Sequence, residues 1–226
     1  MTGPLALIGG GEWSAGCDFD AELLSAVDAE EVVVLPTAAA FENPHRYVER
    51  ATAWFEALGA RVVAPEVLQR SDALDDTNAN AVRSARFVYL AGDSPMHLRA
   101  VLKDTPVWDA LAAAWHAGAV VAGSGNAGSA LLDPMFDPRG GAFAIGLGLV
   151  ANLALLPDAE DDVAEAHRRT LELADPGLVL AAVPRCTALI ADRGGWRVAG
   201  AAPERVRVFV DGQERGLDAL PAVSAG

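Results

Sequence analysis

Short apolar runs alternate with amphipathic stretches along most of this chain. Leu5-Ala6-Leu7-Ile8 is uniformly apolar and stops at Gly9-Gly10-Gly11, the mark of a short buried strand. Val32-Val33-Val34-Leu35 is a second such run, closed by Pro36-Thr37. Residues 61–64, 87–90 and 119–122 read as further strands. Between them, residues 44–58 carry apolar side chains at helical spacing through Tyr47, Ala51, Trp54, Phe55 and Leu58, with Gly59 as the cap. Helices are also expected over 20–29, 77–84, 94–102 and 107–117. Strands alternating with helices imply a parallel sheet covered on both faces. The last third differs. A helix over 164–173 and strands over 178–182, 187–191, 196–199 and 206–210, with turns at Arg193-Gly194-Gly195 and Asp211-Gly212, predict a mixed, partly antiparallel tail that closes the parallel sheet. The expected organisation is one α/β domain over 1–219, with 220–226 frayed.

Composition narrows the function classes. The 226 residues are 52% hydrophobic, enough for a sizeable core. The net charge of −14 argues against nucleic acid and against an anionic membrane surface, because both need clustered Lys and Arg. The apolar runs are too short to span a bilayer, and the first residues lack the basic segment of a secretory signal, so a cytoplasmic protein is expected. Cys17 and Cys186 are too few and too far apart for a disulfide framework or a zinc motif, and read as small apolar side chains. No metal and no cofactor are expected. Gly9-Gly10-Gly11 lacks the Lys-Ser/Thr of a phosphate loop and is read as a tight turn. Asp158, Glu160, Asp161 and Asp162 do not match a calcium loop and read as a solvated helix start.

In a parallel sheet the chemistry gathers at the carboxyl ends of strands. Four ends stand out: Gly10-Gly11-Glu12, Thr37 after its strand, Gly92-Asp93-Ser94, and Gly123-Ser124-Gly125-Asn126-Ala127-Gly128. The last has the layout of a nucleophile elbow, in which a strand, a sharp turn of small residues and a helix present one side chain to a cleft.

These segments, with Gly146-Leu147-Gly148-Leu149 and Thr187-Ala188-Leu189-Ile190, resemble the cyanophycinase/dipeptidase E family of serine peptidases in order and spacing. The resemblance runs from about Leu5 to Asp211. It implies a flavodoxin-like, class I glutamine amidotransferase-like three-layer fold. It also implies a Ser–His mechanism on peptides with acidic residues, the serine standing in a Gly-x-Ser-Ala-Gly elbow. This chain departs from that pattern. The nucleophile position falls on Gly125 or on Asn126, depending on which flanking residues are aligned, and neither can attack a carbonyl. Where the resemblance places a base, Asp158 stands instead of His. Asp93 stands at the implied oxyanion site, where a carboxylate repels developing negative charge. Pro184-Arg185 stands where relatives carry an acidic pair.

The expectation is a non-hydrolytic family member whose cleft, lined by Gly10, Gly11, Glu12, Thr37, Gly92, Asp93, Ser94 and Ala127, binds a peptide or small molecule. It would exist as a homo-oligomer or pair with an active relative. Two alternatives stay open. One is a serine hydrolase of acidic or isoaspartyl peptides through a displaced Ser124, with Asp158 or His167 as base. The other is new chemistry on the carboxylates Glu12, Asp93 and Asp158.

Overall fold

The computed structural model describes residues 2–159 and 167–223. In chain order the strands are β1 (Leu5–Ile8), β2 (Glu31–Leu35), β3 (Arg61–Val63), β4 (Phe87–Leu90), β5 (Val120–Ser124), β6 (Leu132–Asp133), β7 (Met135–Asp137), β8 (Ala142–Ala144), β9 (Val150–Ala151), β10 (Leu153–Leu156), β11 (Val179–Ala182), β12 (Thr187–Asp192), β13 (Gly195–Gly200), β14 (Arg207–Val210) and β15 (Gln213–Arg215). The helices that cover them are α1 (Phe19–Ala26), α2 (Pro44–Ala57), α3 (Arg70–Ala73), α4 (Asp76–Arg83), α5 (Pro95–Leu102), α6 (Pro106–His116) and α7 (Gly125–Ala130). A further helix, Arg168–Leu173, starts after His167 and falls within the span expected over 164–173, of which 164–166 lie outside the described residues.

The main sheet has seven strands in the order β13-β12-β1-β5-β4-β2-β3. From β1 to β3 every pairing is parallel; β12 joins β1, and β13 joins β12, antiparallel. Burial on both faces explains the uninterrupted apolar runs. Leu5, Leu7, Val33, Leu35, Val88, Leu90 and Val121 point to one core, with Val82, Leu98, Leu111 and Ala127 of the helices above. Ala6, Ile8, Val32, Val34, Phe87, Tyr89 and Val120 point to the other, against Phe19, Leu23, Ala51 and Phe55. The three-layer α/β fold expected from the sequence is the fold observed.

The tail is organised differently from the expectation. It does not close the sheet as one unit. Only β12 and β13 do so, while β10, β11, β14 and β15 form a separate four-stranded sheet. That sheet has two apolar faces of its own. Leu153, Leu155, Val179 and Val208 face the first core, and Leu156, Leu180 and Phe209 pack with Phe136 in a third cluster. A strand with two apolar faces needs cover on both, and this is what separates β11 from the main sheet despite a similar local pattern. At the far end Leu220 is buried, and the Pro221 carbonyl accepts a hydrogen bond from Trp196 Nε1, so residues 220–221 are tied down rather than loose. No helix among the described residues is long and apolar enough to cross a membrane.

One close approach locks the centre. Helix α7 lies on β5 through Gly123 and Gly128: a Cβ on Gly123 would sit 2.7 Å from the Gly128 Cα, and one on Gly128 would run into the Gly123 carbonyl oxygen. Gly128→Ala is therefore expected to cost about 1–3 kcal/mol by overpacking. Gly140→Ala, with nothing within 4 Å, should stay within about 0.5 kcal/mol of wild type. Chemical denaturation of the two variants checks the contrast.

Asp20 is fully buried on α1, and its Oδ2 accepts a hydrogen bond from Trp54 Nε1. Burial pushes its carboxyl up to about 8, the Trp54 bond opposing and the charge of Glu12 adding to the rise. A carboxyl held above its unfolded value favours folding most at low pH, and that contribution is lost as pH rises from about 4 to about 8. Relative to wild type, Asp20→Asn should gain stability progressively across this window, by a few kcal/mol at most (~1.4 kcal/mol per unit), as read from denaturant midpoints between pH 4 and 9.

Candidate active-site cleft

The parallel order β1-β5-β4-β2 brings four loops to one edge of the sheet. Strand β5 runs to its carboxyl end at Ser124, and the chain turns at Gly125, whose φ is +57°. L side chains rarely adopt that backbone conformation. The turn feeds α7. A Cβ on Gly125 would enter open space, its nearest neighbours being Asp93 Oδ1 and the Gly10 Cα, each at 3.9 Å. The position at the apex of the elbow is thus Gly125. Asn126 stands one residue inside the helix, its Oδ1 buried and without a hydrogen-bond partner among the described residues.

Ser124 is almost wholly buried, at 2% exposure, and its hydroxyl donates to Glu12 Oε2 at 2.7 Å. Glu12 lies on the loop after β1. Arg50, from α2, holds it twice, with Nη1 3.5 Å from Oε1 and Nη2 donating to the Glu12 carbonyl at 2.8 Å. The Arg50 guanidinium itself lies over the rings of Trp13 and Tyr47, 5.6 and 5.8 Å from their centroids. This cation–π clamp presents the arginine to Glu12 in one geometry.

Asp93, after β4, is solvent-exposed yet crowded on its inner side. Loss of water there, then the charges of Glu12 and Asp158, raise its carboxyl above the ordinary value, and Arg185 partly offsets them. Burial and Asp93 likewise raise Glu42, whose Oε2 is 3.5 Å from the Tyr47 hydroxyl. Burial and the carboxylates Asp93, Glu42 and Glu12 push Tyr47 up to about 12.

Asp158 follows β10 in the left-handed region, with φ at +52°. Its N–H donates to the Gly9 carbonyl at 2.6 Å, and its Oδ1 pairs with Arg185 Nη1 at 2.8 Å. The same Oδ1 lies over Gly10, 2.6 Å from where a Cβ on that glycine would stand. The remaining members of the acidic stretch, Glu160 to Asp162, lie outside the described residues.

The structure therefore brings Gly10, Glu12, Asp93, Ser124, Gly125 and Asp158 together. Four expected residues are placed otherwise. Thr37 is buried and spends its hydroxyl on the Val67 carbonyl at 2.7 Å, bracing a loop. The Ala127 methyl packs in the first core. Ser94 stands before α5 with its N–H on the Ala38 carbonyl, and Gly92 is hemmed in by the Ala38 and Ala39 backbone, so both shape the loop that carries Asp93. His167 lies with its ring against Phe136, at the third cluster. The carboxylate that meets Ser124 is Glu12, expected as a group for new chemistry but not as the base for this serine, for which Asp158 or His167 was named.

Arg50, Tyr47, Glu42 and Arg185 were missed as parts of the cleft. Arg50 and Tyr47 belong to a helix that reads as an ordinary surface helix, and only tertiary packing turns one edge of it toward β1. Arg185 was noticed only as a departure from the resemblance. No group of three or more His, Cys, Asp and Glu side chains among the described residues is arranged to hold a metal ion.

The model of peptidase family S51 matches residues 5–162. No curated protein matches the chain in sequence. Among solved structures, a peptidase from an acI-B1 actinobacterium superposes with a TM-score of 0.79 at 26% identity, over 95% of this chain and 93% of that one. A candidate peptidase E protein from Listeria monocytogenes EGD-e superposes with a TM-score of 0.69 at 18% identity, over 89% of this chain and 100% of that one, a likeness of fold alone. With the strand ends, the elbow and more than half its length shared, the chain belongs to peptidase family S51, the cyanophycinase/dipeptidase E family.

Proposed function

We propose that this is a cytoplasmic, non-hydrolytic member of its family that binds a peptide or small molecule in the old cleft, as a homo-oligomer or beside an active relative. The observation that carries the reading is the elbow apex. It is Gly125, which has no nucleophilic atom, and it is flanked by the carboxylates of Asp93 and, beyond Gly10, Asp158. Acyl transfer needs a nucleophile and a base acting as one unit. Here Asp158 is committed to Arg185 in an ion pair.

Electrostatics point the same way. A negative charge developing beside an ionised Asp93 would be repelled by it, against the roughly 2.7–4 kcal/mol that one oxyanion-hole donor supplies. The scaffold's stabilising device is opposed by its own side chain.

A second reading has one observation in its favour. Ser124 already donates a short hydrogen bond to a carboxylate, Glu12. Carboxylates are weak bases toward a hydroxyl, and Ser124 is nearly closed off from solvent.

Purified protein should show no turnover of dipeptides with an N-terminal Asp or of isoaspartyl peptides, and no labelling by a fluorophosphonate. Robust turnover overturns the first reading, and labelling at Ser124 or loss of that turnover in Ser124→Ala establishes the second. Turnover that survives Ser124→Ala but is lost in Glu12→Gln or Asp93→Asn would instead assign the chemistry to the carboxylates.

A further inference from the structure

The two cysteines are 169 positions apart in sequence yet converge on one carbonyl. Cys17 Sγ and Cys186 Sγ each lie 3.5 Å from the Gly11 oxygen, and Cys186 packs against the cluster that holds Cys17. Ser14 completes the cluster, its hydroxyl 2.6 Å from the Gly11 oxygen and 3.3 Å from Cys186 Sγ. The backbone holds both sulfurs in place. The Cys17 N–H donates to the Ser14 carbonyl at 3.1 Å, and the Cys186 N–H to the Gly10 carbonyl at 2.8 Å. Cys186 has φ at +53°, a conformation that the bonds on either side of it, from its own N–H and to its own carbonyl from Ala201, hold fixed. Both thiols are free; Cys17 is fully buried and Cys186 is partly open.

We propose that Cys17 and Cys186 are a paired modification site that closes to a disulfide when a peroxide reaches Cys186. This stands apart from the cleft's proposed function and survives its failure. In the first step Cys186 sulfur attacks a peroxide oxygen, the O–O bond breaks, and one water leaves, giving a sulfenic acid. In the second step Cys17 sulfur attacks the Cys186 sulfur, the S–O bond breaks, and the hydroxyl departs with the Cys17 proton as a second water. The two sulfurs lose two electrons in all, and the peroxide takes both. Burial pushes the Cys17 thiol up to about 12, the Ser14 backbone bond opposing and Asp20 adding to the rise, so the second step is slow at neutral pH and speeds up with alkalinity.

The bond would join the loop that carries Glu12 to the loop that carries Arg185, stapling two walls of the cleft. It would also close a long chain loop, the case in which a cross-link restricts the unfolded chain most.

The test uses reduced full-length protein treated with hydrogen peroxide, then denatured and alkylated. The expected product is lighter by two hydrogens, takes up no alkyl group, and yields a peptide pair linked through Cys17 and Cys186 that dithiothreitol separates. Its Tm should rise by roughly 5–10 °C, and amide exchange should slow over residues 9–17 and 184–188. In Cys17→Ser, Cys186 should run on to sulfinic acid; in Cys186→Ser, Cys17 should resist peroxide. Two alkylated thiols at saturating peroxide, an intermolecular disulfide, or a sulfinic Cys186 beside an intact Cys17 thiol in the wild-type protein would each overturn the proposal.

Discussion

The contact between Gly123 and Gly128 is the constraint on which the rest of the cleft depends. Two backbones meet there with no side chain between them. This draws α7 down onto β5 and forces the chain to reverse within one residue, at Gly125. The reversal is what aims the elbow apex at the loops of β1 and β4. A larger residue at either glycine would lift the helix and open the angle, whatever stood at the apex. The local glycine pattern is thus explained by sterics alone, and its presence says nothing about whether a nucleophile follows.

Around that apex the side chains are mutually dependent. Arg50 is held over two aromatic rings and holds Glu12; Glu12 holds the Ser124 hydroxyl. On the other side Arg185 holds Asp158, and the field of Asp158 reaches Asp93. Four carboxylates share this edge with two arginines, and loss of water, with neighbouring charge adding to it, raises Asp93 and Glu42 among them. On the function proposed above, this charge opposes the anionic intermediate of acyl transfer.

Much of the architecture was legible in the residues. Unbroken runs such as Val32 to Leu35 announced strands covered on both faces, and glycine clusters marked their carboxyl ends. The choice between Gly125 and Asn126 was not legible. Two alignments of small residues are equally plausible on paper, and only the positive φ at Gly125 separates them. Arg50 and Tyr47 were invisible for a different reason, since amphipathic spacing reports which face of a helix is buried and nothing about what its rim meets. The partition of the tail into two sheets was hidden because β11 and β12 have the same apolar character; what differs is the partner each finds across the fold. The meeting of Cys17 with Cys186 likewise depends on two loops crossing at Gly11, which no spacing rule encodes.

The connection from β11 to β12 joins the two sheets. It leaves the small sheet, crosses at Gly9 and Gly10, and enters the main one, delivering Arg185 on the way. All of it lies beyond residue 162, the last residue that the family model matches. The cation that balances Asp158 is therefore carried by a different crossing from the acids around it, so a change confined to that crossing would alter the charge of the cleft and leave every acid in place.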